Sequence, residues 1–482
     1  MSALSTSIKS IQDIMRKDVG INGDAQRIEQ LGWMLFLKIY DDREEEQELL
    51  DEDYESPIPD EFRWRNWAAD PEGMTGDDLA DFINNHLFPA LQELPAEGAT
   101  KERALVVREV FKDAFNFMKS GTLLRQVANK IQEAINFNDS KTRHALGDIY
   151  EQILRDLQAA GNSGEFYTPR AVTQFAVDMV DPQLGEIVMD PACGTGGFLT
   201  CAIEHLRHQV KTPKQEAKLR RSIYGVEKKQ LPHLLCTTNM ILHGIDVPTN
   251  VRHDNTLSRP LRDYGSKDRV DVVVTNPPFG GIEEDGIEAN FPAEYRTRET
   301  ADLFLVLILT LLKPGGRAAV VLPDGSLFGE GVKTRIKERL LSDCNLHTLV
   351  RLPKGVFAPY TSIQTNVLFF TKGEPTKKVW FYEHPYPPGY KSYSKTKPMR
   401  IEEFEPEKAW WQDRKETEQA WRVSIESIRE RGFNLDIKNP NAADDGPGDP
   451  DEIRRQLEQA ADEAAAIRSK LLSTLSNALE QQ

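Results

Sequence analysis

The chain has 482 residues, of which 39% are hydrophobic, enough for about three domains with real cores. No run approaches the roughly 20 apolar residues needed to span a bilayer; the longest, Leu303 to Leu312, stops at Lys313 and Pro314. A net charge of −16 opposes unaided binding to nucleic acid, whose affinity comes largely from Lys and Arg on phosphates, so a DNA substrate would require a partner or a local basic groove.

The N-terminal MSALSTSIKSIQDIMRKD is amphipathic rather than a charged-then-apolar leader, and a cytoplasmic location is the expectation. Residues 1–160 read as a helical domain. Ile28, Leu31, Leu35 and Ile39 share one helical face, and Ile149, Ile153 and Leu157 repeat that spacing. Between these stripes lie an acidic, proline-punctuated stretch from Asp42 to Asp60 and then FRWRNWA, whose arginines and tryptophans read as packing rather than nucleic-acid contact.

Residues 161–438 change to short apolar strands alternating with helices, the pattern of a doubly wound α/β sheet. At their start, Glu165, Phe166, Tyr167, Thr168, Pro169 and Arg170 precede a helix near Ala171. Thr168 has the chemistry of a helix N-cap with Pro169 in the first turn, and the aromatic turn also suits the wall of a pocket.

The first strand, Ile187 to Asp190, runs into Pro-Ala-Cys-Gly194-Thr195-Gly196-Gly197 and then a helix. A glycine-rich turn there lets a ligand approach the backbone, as in sites for dinucleotides and for S-adenosylmethionine. The dinucleotide fingerprint requires a third glycine where Leu199 stands, and an acid at the strand's end suits an ammonium better than a pyrophosphate. Asp190 therefore favours the amino-acid part of S-adenosylmethionine. Glu227 ends the next strand, IYGVE, where an acid can bind ribose hydroxyls; the bland alternative is a helix N-terminal acid. Asp254 follows Val251-Arg-His and is placed to bind the adenine amino group, or else to serve a turn.

Val270 to Val274 form a buried strand that ends in Asn276-Pro277-Pro278-Phe279. An exocyclic amino group is a poor nucleophile because its lone pair is delocalised. Acceptors aimed at its N–H groups favour a more reactive, pyramidal nitrogen. The Asn276 side-chain oxygen and the Pro277 carbonyl can supply both, stiffened by the prolines, while Phe279 stacks on the ring. The alternative is a strand merely stopped by a proline turn. Ala318 to Leu322 continues the sheet, and Thr348 to Pro353 with Thr365 to Phe370, joined through Gly355 and Pro359, predict a terminal antiparallel pair.

The Tyr-, Pro- and Lys-rich segment His384 to Pro398 reads as a solvated loop, and residues 439–450 as a linker. Residues 451–482 carry Ile453, Leu457, Ala460, Ala464, Ile467 and Leu471 in heptad spacing, a helix that packs on its own chain or on a partner. Cys193, Cys201, Cys236 and Cys344 have no metal or disulfide spacing, no metal site is expected, and Cys193 reads as structural rather than nucleophilic.

GEFYTPR, DPACGTGGFL, YGVE and NPPF, in this order, resemble the amino-methylating DNA methyltransferases, and in particular the modification subunits of type I restriction-modification systems. The similarity extends to LGWMLFLKIYDD and GTLLRQV in the helical domain and to LPDGSLFGEG and GVFAPYTSIQTNVLFF in the later strands. The resemblance implies N6-adenine methylation with S-adenosylmethionine. It implies cofactor contact by Glu165 to Arg170, Thr195 to Gly197 and Glu227, and target-base contact by Asn276, Pro277 and Phe279. It also implies a separate specificity subunit, commonly bound by two modification subunits, with a restriction subunit in the larger complex. Read from the residues alone, cytosine N4, an RNA base or a protein glutamine remain possible acceptors, and a non-catalytic scaffold is the further alternative.

Overall fold

The stripe Ile28, Leu31, Leu35 and Ile39 falls on the helix Asp24–Leu50, and all four side chains are buried. This is a computed structural model, which describes residues 3–134, 150, 168–358, 361, 363–394, 397–441 and parts of 454–471. Burial extends round the whole helix from Leu31 to Asp42, because neighbouring helices enclose it. Lys38 and Asp42 pair at 2.6 Å inside it, which offsets part of the cost of taking each charge out of water. The acidic stretch that begins at Asp42 therefore stays helical as far as Leu50.

In FRWRNWA, Trp64 and Trp67 are buried, while Arg63 and Arg65 pair with Glu48 at 3.0 and 2.7 Å and Arg65 also reaches Asp41 at 2.9 Å. Paired this way, the arginines serve packing. The predicted helical stripe at Ile149, Ile153 and Leu157 lies outside the described residues.

Among the described residues, the helical domain meets the second domain mainly at the helix Gln230–Leu242 and the turn after it. That helix meets Gly32, where an added Cβ would stand 3.1 Å from Leu234. Gln230 Nε2 donates to the Val110 carbonyl at 2.6 Å, Tyr150 donates to the Leu235 carbonyl at 3.1 Å, and Arg43 pairs with Asp246 at 2.6 Å.

One mixed sheet forms the second domain, from β1 (Val188–Asp190), β2 (Ile223–Glu227), β3 (Val251–His253), β4 (Val270–Thr275), β5 (Leu312–Pro323), β6 (Cys344–Arg351), β7 (Thr365–Lys372), β8 (Lys378–Glu383) and β9 (Ala420–Ser424). The order is β3-β2-β1-β4-β5-β7-β6-β8-β9, and β1 to β5 run parallel. The chain builds β1, β2 and β3 outward in one direction and then returns to lay β4 on the other side of β1. The resulting switch point opens a crevice beyond the carboxyl ends of β1 and β4, where doubly wound sheets bind ligands. Asp190 ends β1 and Asn276 follows β4.

The two later strands are antiparallel, as their pattern predicts, with β7 inserted between β5 and β6. They do not end the sheet: β8 joins β6 in parallel and β9 pairs antiparallel with β8. His384 to Pro398 has little regular structure, yet it is not simply solvated. His384 and Tyr393 are buried, the latter donating its hydroxyl to Glu403. Of the linker only residues 439–441 are described, and of the heptad residues Leu457, Ile467 and Leu471, all exposed; Ile453, Ala460 and Ala464 lie outside the described residues. Among the described residues, no helix is long and apolar enough to cross a membrane.

Candidate active site

The glycine turn is shaped by two residues in the left-handed region, Gly194 (φ 53°) and Gly196 (φ 87°). At Gly196 a Cβ would also come within 2.8 Å of Cys236 Sγ, so the turn presses directly on the helix Gln230–Leu242. Asn239 on that helix donates to the Thr195 carbonyl at 3.1 Å. Cys193 lies 3.8 Å from Cys236, sulfur to sulfur; this contact and burial hold its thiol well above the ordinary range. A buried, protonated thiol is structural, and all four cysteines are buried and free.

Asp190 is 1% exposed. Thr275 Oγ1 donates to its Oδ1 at 2.6 Å and the Ala192 amide does so at 3.1 Å. Burial, with a smaller contribution from the nearby Glu227 carboxylate, pushes the carboxyl up to about 7 despite these two bonds. A cationic ligand group beside it would reverse that shift.

Glu227, at the end of β2, is held by backbone amides on both oxygens. Gly194 N–H donates to Oε2 at 2.9 Å and Lys229 N–H to Oε1 at 2.8 Å. The glycine turn and the second strand are thus tied together through one carboxylate.

Beyond β4, Asn276 Nδ2 donates to Thr168 Oγ1 at 2.9 Å. Asn276 Oδ1 is shielded from water and has no hydrogen-bond partner. A buried acceptor left unmade costs on the order of 1–3 kcal/mol, which a donor brought by a ligand would recover. Phe279 is buried, edge-on to Phe357 with ring centres 6.2 Å apart.

These groups face one cavity of about 560 Å³, within the usual range for small-molecule sites. Of the residues predicted from sequence, Thr168, Asp190, Gly194, Thr195, Gly197, Glu227, Asn276 and Phe279 line it. Pro169, Arg170, Gly196 and Pro277 adjoin lining residues in the chain without being among them, and Glu165, Phe166 and Tyr167 are outside the described residues. Asp254 does follow β3, as expected, but its side chain is half exposed, 3.9 Å from Arg252, and the cavity wall does not include it. Thr168 does not cap the helix: that helix is Arg170–Val180, with Pro169 in the cap position and no side-chain cap bond. Arg170 instead binds Thr200 Oγ1 at 2.8 Å and pairs with Glu204, fastening its helix to Gly197–Arg207.

Three contributors escaped sequence reasoning. Thr275 orients Asp190, and its signal is a hydroxyl in the last, fully buried position of the strand, directly after Val272 to Val274. Lys228 and Glu283, 3.2 Å apart, join the β2 turn to the loop after β4 across the cavity wall. Their pairing is tertiary, and no local pattern announces it.

Comparison with known proteins agrees with this geometry. Residues 141–446 match the N-6 DNA Methylase family and residues 4–131 the HsdM N-terminal domain. The chain is 61% identical over 485 residues to the type I restriction enzyme EcoEI methylase subunit of Escherichia coli, covering 99% of this chain and 98% of that one. Among solved structures it is similar to a modification subunit assigned to a type I restriction enzyme from Vibrio vulnificus YJ016, with 48% identity, a TM-score of 0.83 and coverage of 91% and 97%. It is also similar, at 37% identity and a TM-score of 0.81 over 99% of both chains, to a chain solved in work on assembly and conformational transition of the type I restriction-modification system. A helical domain joined to a switch-point cavity with an NPPF turn, matched over nearly its whole length, makes this chain a member of the N-6 DNA methylase family, with the N-terminal domain of type I methylase subunits.

Proposed function

We propose that the chain is the methylating subunit of a type I restriction-modification system and transfers a methyl group from S-adenosylmethionine to N6 of an adenine flipped out of DNA. The observation that carries this reading is Asn276, just after β4: it lines the cavity with Asp190 and Glu227, and its Oδ1 is a buried acceptor with no hydrogen-bond partner. An acceptor with no donor is what an amino-group substrate requires.

The residues fit the cofactor. Asp190, a buried carboxylate with only neutral donors on Oδ1, suits the ammonium of the methionine part. Glu227, fixed by two amides at the end of β2, suits the ribose hydroxyls, and the glycines of the Gly194 to Gly197 turn admit the ligand to the backbone. Asp254 takes the adenine amino group only by turning inward from its place near Arg252. When bound, the cofactor supplies an electrophilic methyl on sulfonium sulfur.

The protein's part is to present and activate the target nitrogen. A stacked adenine cannot reach a site at the bottom of this crevice, so the base leaves the duplex. Asn276 Oδ1 and the Pro277 carbonyl accept its two amino hydrogens and localise the nitrogen lone pair. Phe279, 3% exposed, stacks on the ring once the base uncovers it. With a net charge of −16, the chain leaves most of the grip on DNA to a specificity subunit, bound by two copies of this chain and joined by a restriction subunit in the larger cytoplasmic assembly.

The test is to incubate the complex, co-purified with its specificity subunit, with DNA and methyl-labelled cofactor, then digest the DNA and identify the labelled nucleoside by mass spectrometry. N6-methyladenine is expected. Label in N4-methylcytosine, in RNA or in protein instead would overturn the proposal.

A further inference from the structure

The chain has 76 acidic and 60 basic residues, and it spreads them unevenly round the cavity. The loop that follows Phe279 carries Glu283, Glu284 and Asp285, and the bases beside it are already taken. Lys228 pairs with Glu283 and Glu284 at 3.2 and 2.9 Å, and Arg298 pairs with Asp285 at 2.6 Å. A polyanion would be repelled from that rim.

The opposite composition leaves the same sheet edge through β6 and β8. Because β7 is antiparallel to both its neighbours, β6 and β8 run in the direction of β1 to β5. The segments after Arg351 and Glu383 therefore emerge on the edge where Asn276 follows β4. Neither contains an acid: none occurs from Leu352 to Gln364 or from His384 to Arg400. Lys354, Lys391 and Lys397 are exposed, and among the described residues no carboxylate pairs with them. Lys397 lies over the Tyr390 ring, 5.3 Å from its centre, a contact that leaves its charge in place. Two acids reach back from the helical turns beyond, and both are bound. Glu403 accepts from the Tyr393 hydroxyl and the Arg400 amide, and Glu407 pairs with His384.

These lysines ride on one packed unit beside the target-base turn. Tyr386 donates its hydroxyl to the Lys354 carbonyl at 2.9 Å. Gly355, at φ 82°, lies so close to Tyr393 that an added Cβ would stand 3.0 Å from its carbonyl oxygen. Phe357, two residues on, meets Phe279 of the cavity wall edge-on.

We infer that Lys354, Lys391 and Lys397 form a phosphate-binding rim that holds the DNA backbone beside the flipped base. Such a rim presupposes the reading of this chain as acting on DNA, and it gives the duplex an orientation: the backbone approaches from the β6 and β8 side, not across the acidic loop.

Each phosphate contact contributes about −0.9 to the slope of log K against log salt, whatever the base sequence. Salt titration of the complex with its specificity subunit on a random-sequence duplex therefore reads the rim. The triple variant Lys354→Ala, Lys391→Ala, Lys397→Ala should have a slope shallower by about 2 to 3 units for each copy of the chain engaged with DNA, and should bind at least about ten-fold more weakly at low salt. It should still bind S-adenosylmethionine and co-purify with the specificity subunit as wild type does. A control triple, Lys211→Ala, Lys214→Ala, Lys267→Ala, changes the net charge equally at exposed lysines that precede β2 and β4, toward the amino edge of the sheet, and should keep the wild-type slope. If the rim triple does not fold, the double variant Lys391→Ala, Lys397→Ala carries the same comparison at about 2 units. A wild-type slope in the rim variant, or an equal change in the control, would overturn the rim. Loss of the specificity subunit from the rim variant would mark a protein interface and overturn it as well. Wild-type complex that makes no N6-methyladenine would instead sink the functional reading beneath it, whatever the lysine variants do.

Discussion

The two halves of the cavity are built on opposite terms. On the β1–β2 side, both oxygens of Glu227 already accept backbone amides, Asp190 accepts from Thr275 and Ala192, and Gly196 is pressed against Cys236. That half is bonded to itself and to a helix braced by the N-terminal domain. On the β4 side, Asn276 keeps one bond and one buried acceptor without a partner. The contrast fits a methyl donor of the same structure at every turnover and a base that arrives only when a duplex is opened: the first half is finished before its ligand comes, and the second is completed by it.

The comparison breaks most visibly at Asn276. In Asn276→Ala, transfer to DNA should fall by about 10²–10³, the usual scale for removing one preorganised polar group from a transition state; a single-turnover assay with the assembled complex measures it, and near-normal methylation would remove the contrast altogether. Next comes Glu227→Ala, which takes away a carboxylate anchored from two directions. A lost hydrogen bond to a charged group, about 1.5–3 kcal/mol, corresponds to S-adenosylmethionine binding weakened by roughly 10- to 150-fold. Equilibrium binding to the full-length chain reads this directly.

The smallest effect concerns pH. Burial holds Asp190 at about 7 without ligand, and a cationic group beside it favours the charged form. Binding must therefore expel a proton once the solution is more acidic than about pH 7. Affinity should be flat above that value and decline on acidification, by at most about ten-fold per pH unit. Asp190→Asn should flatten the profile, and a cofactor affinity that rises on acidification would contradict the assignment.

Much of this was legible in the order of residues, for reasons of range. IYGVE is β2 from end to end, and VDVVV lies in β4, because a run of aliphatic residues between polar turns has few other uses in a parallel sheet. The ends of β1, β2 and β4 delivered Asp190, Glu227 and Asn276 to one cavity. What was not legible depends on side-chain direction or on distant pairing. Asp254 stands after its strand as predicted, yet its carboxylate is half exposed beside Arg252. Thr168 has the chemistry of a cap, but Asn276 competes for its oxygen from 108 positions away. The strands β8 and β9 were missed because they flank an irregular segment whose tyrosines look solvated until His384 and Tyr393 find partners inside.

The separation of the two halves is tested most directly by calorimetric titration of S-adenosylmethionine into the full-length wild type, Asn276→Ala and Glu227→Ala. The account predicts that Asn276→Ala binds within about two-fold of wild type while Glu227→Ala is weakened at least about ten-fold. Equal losses in both variants, or a loss confined to Asn276→Ala, would contradict it.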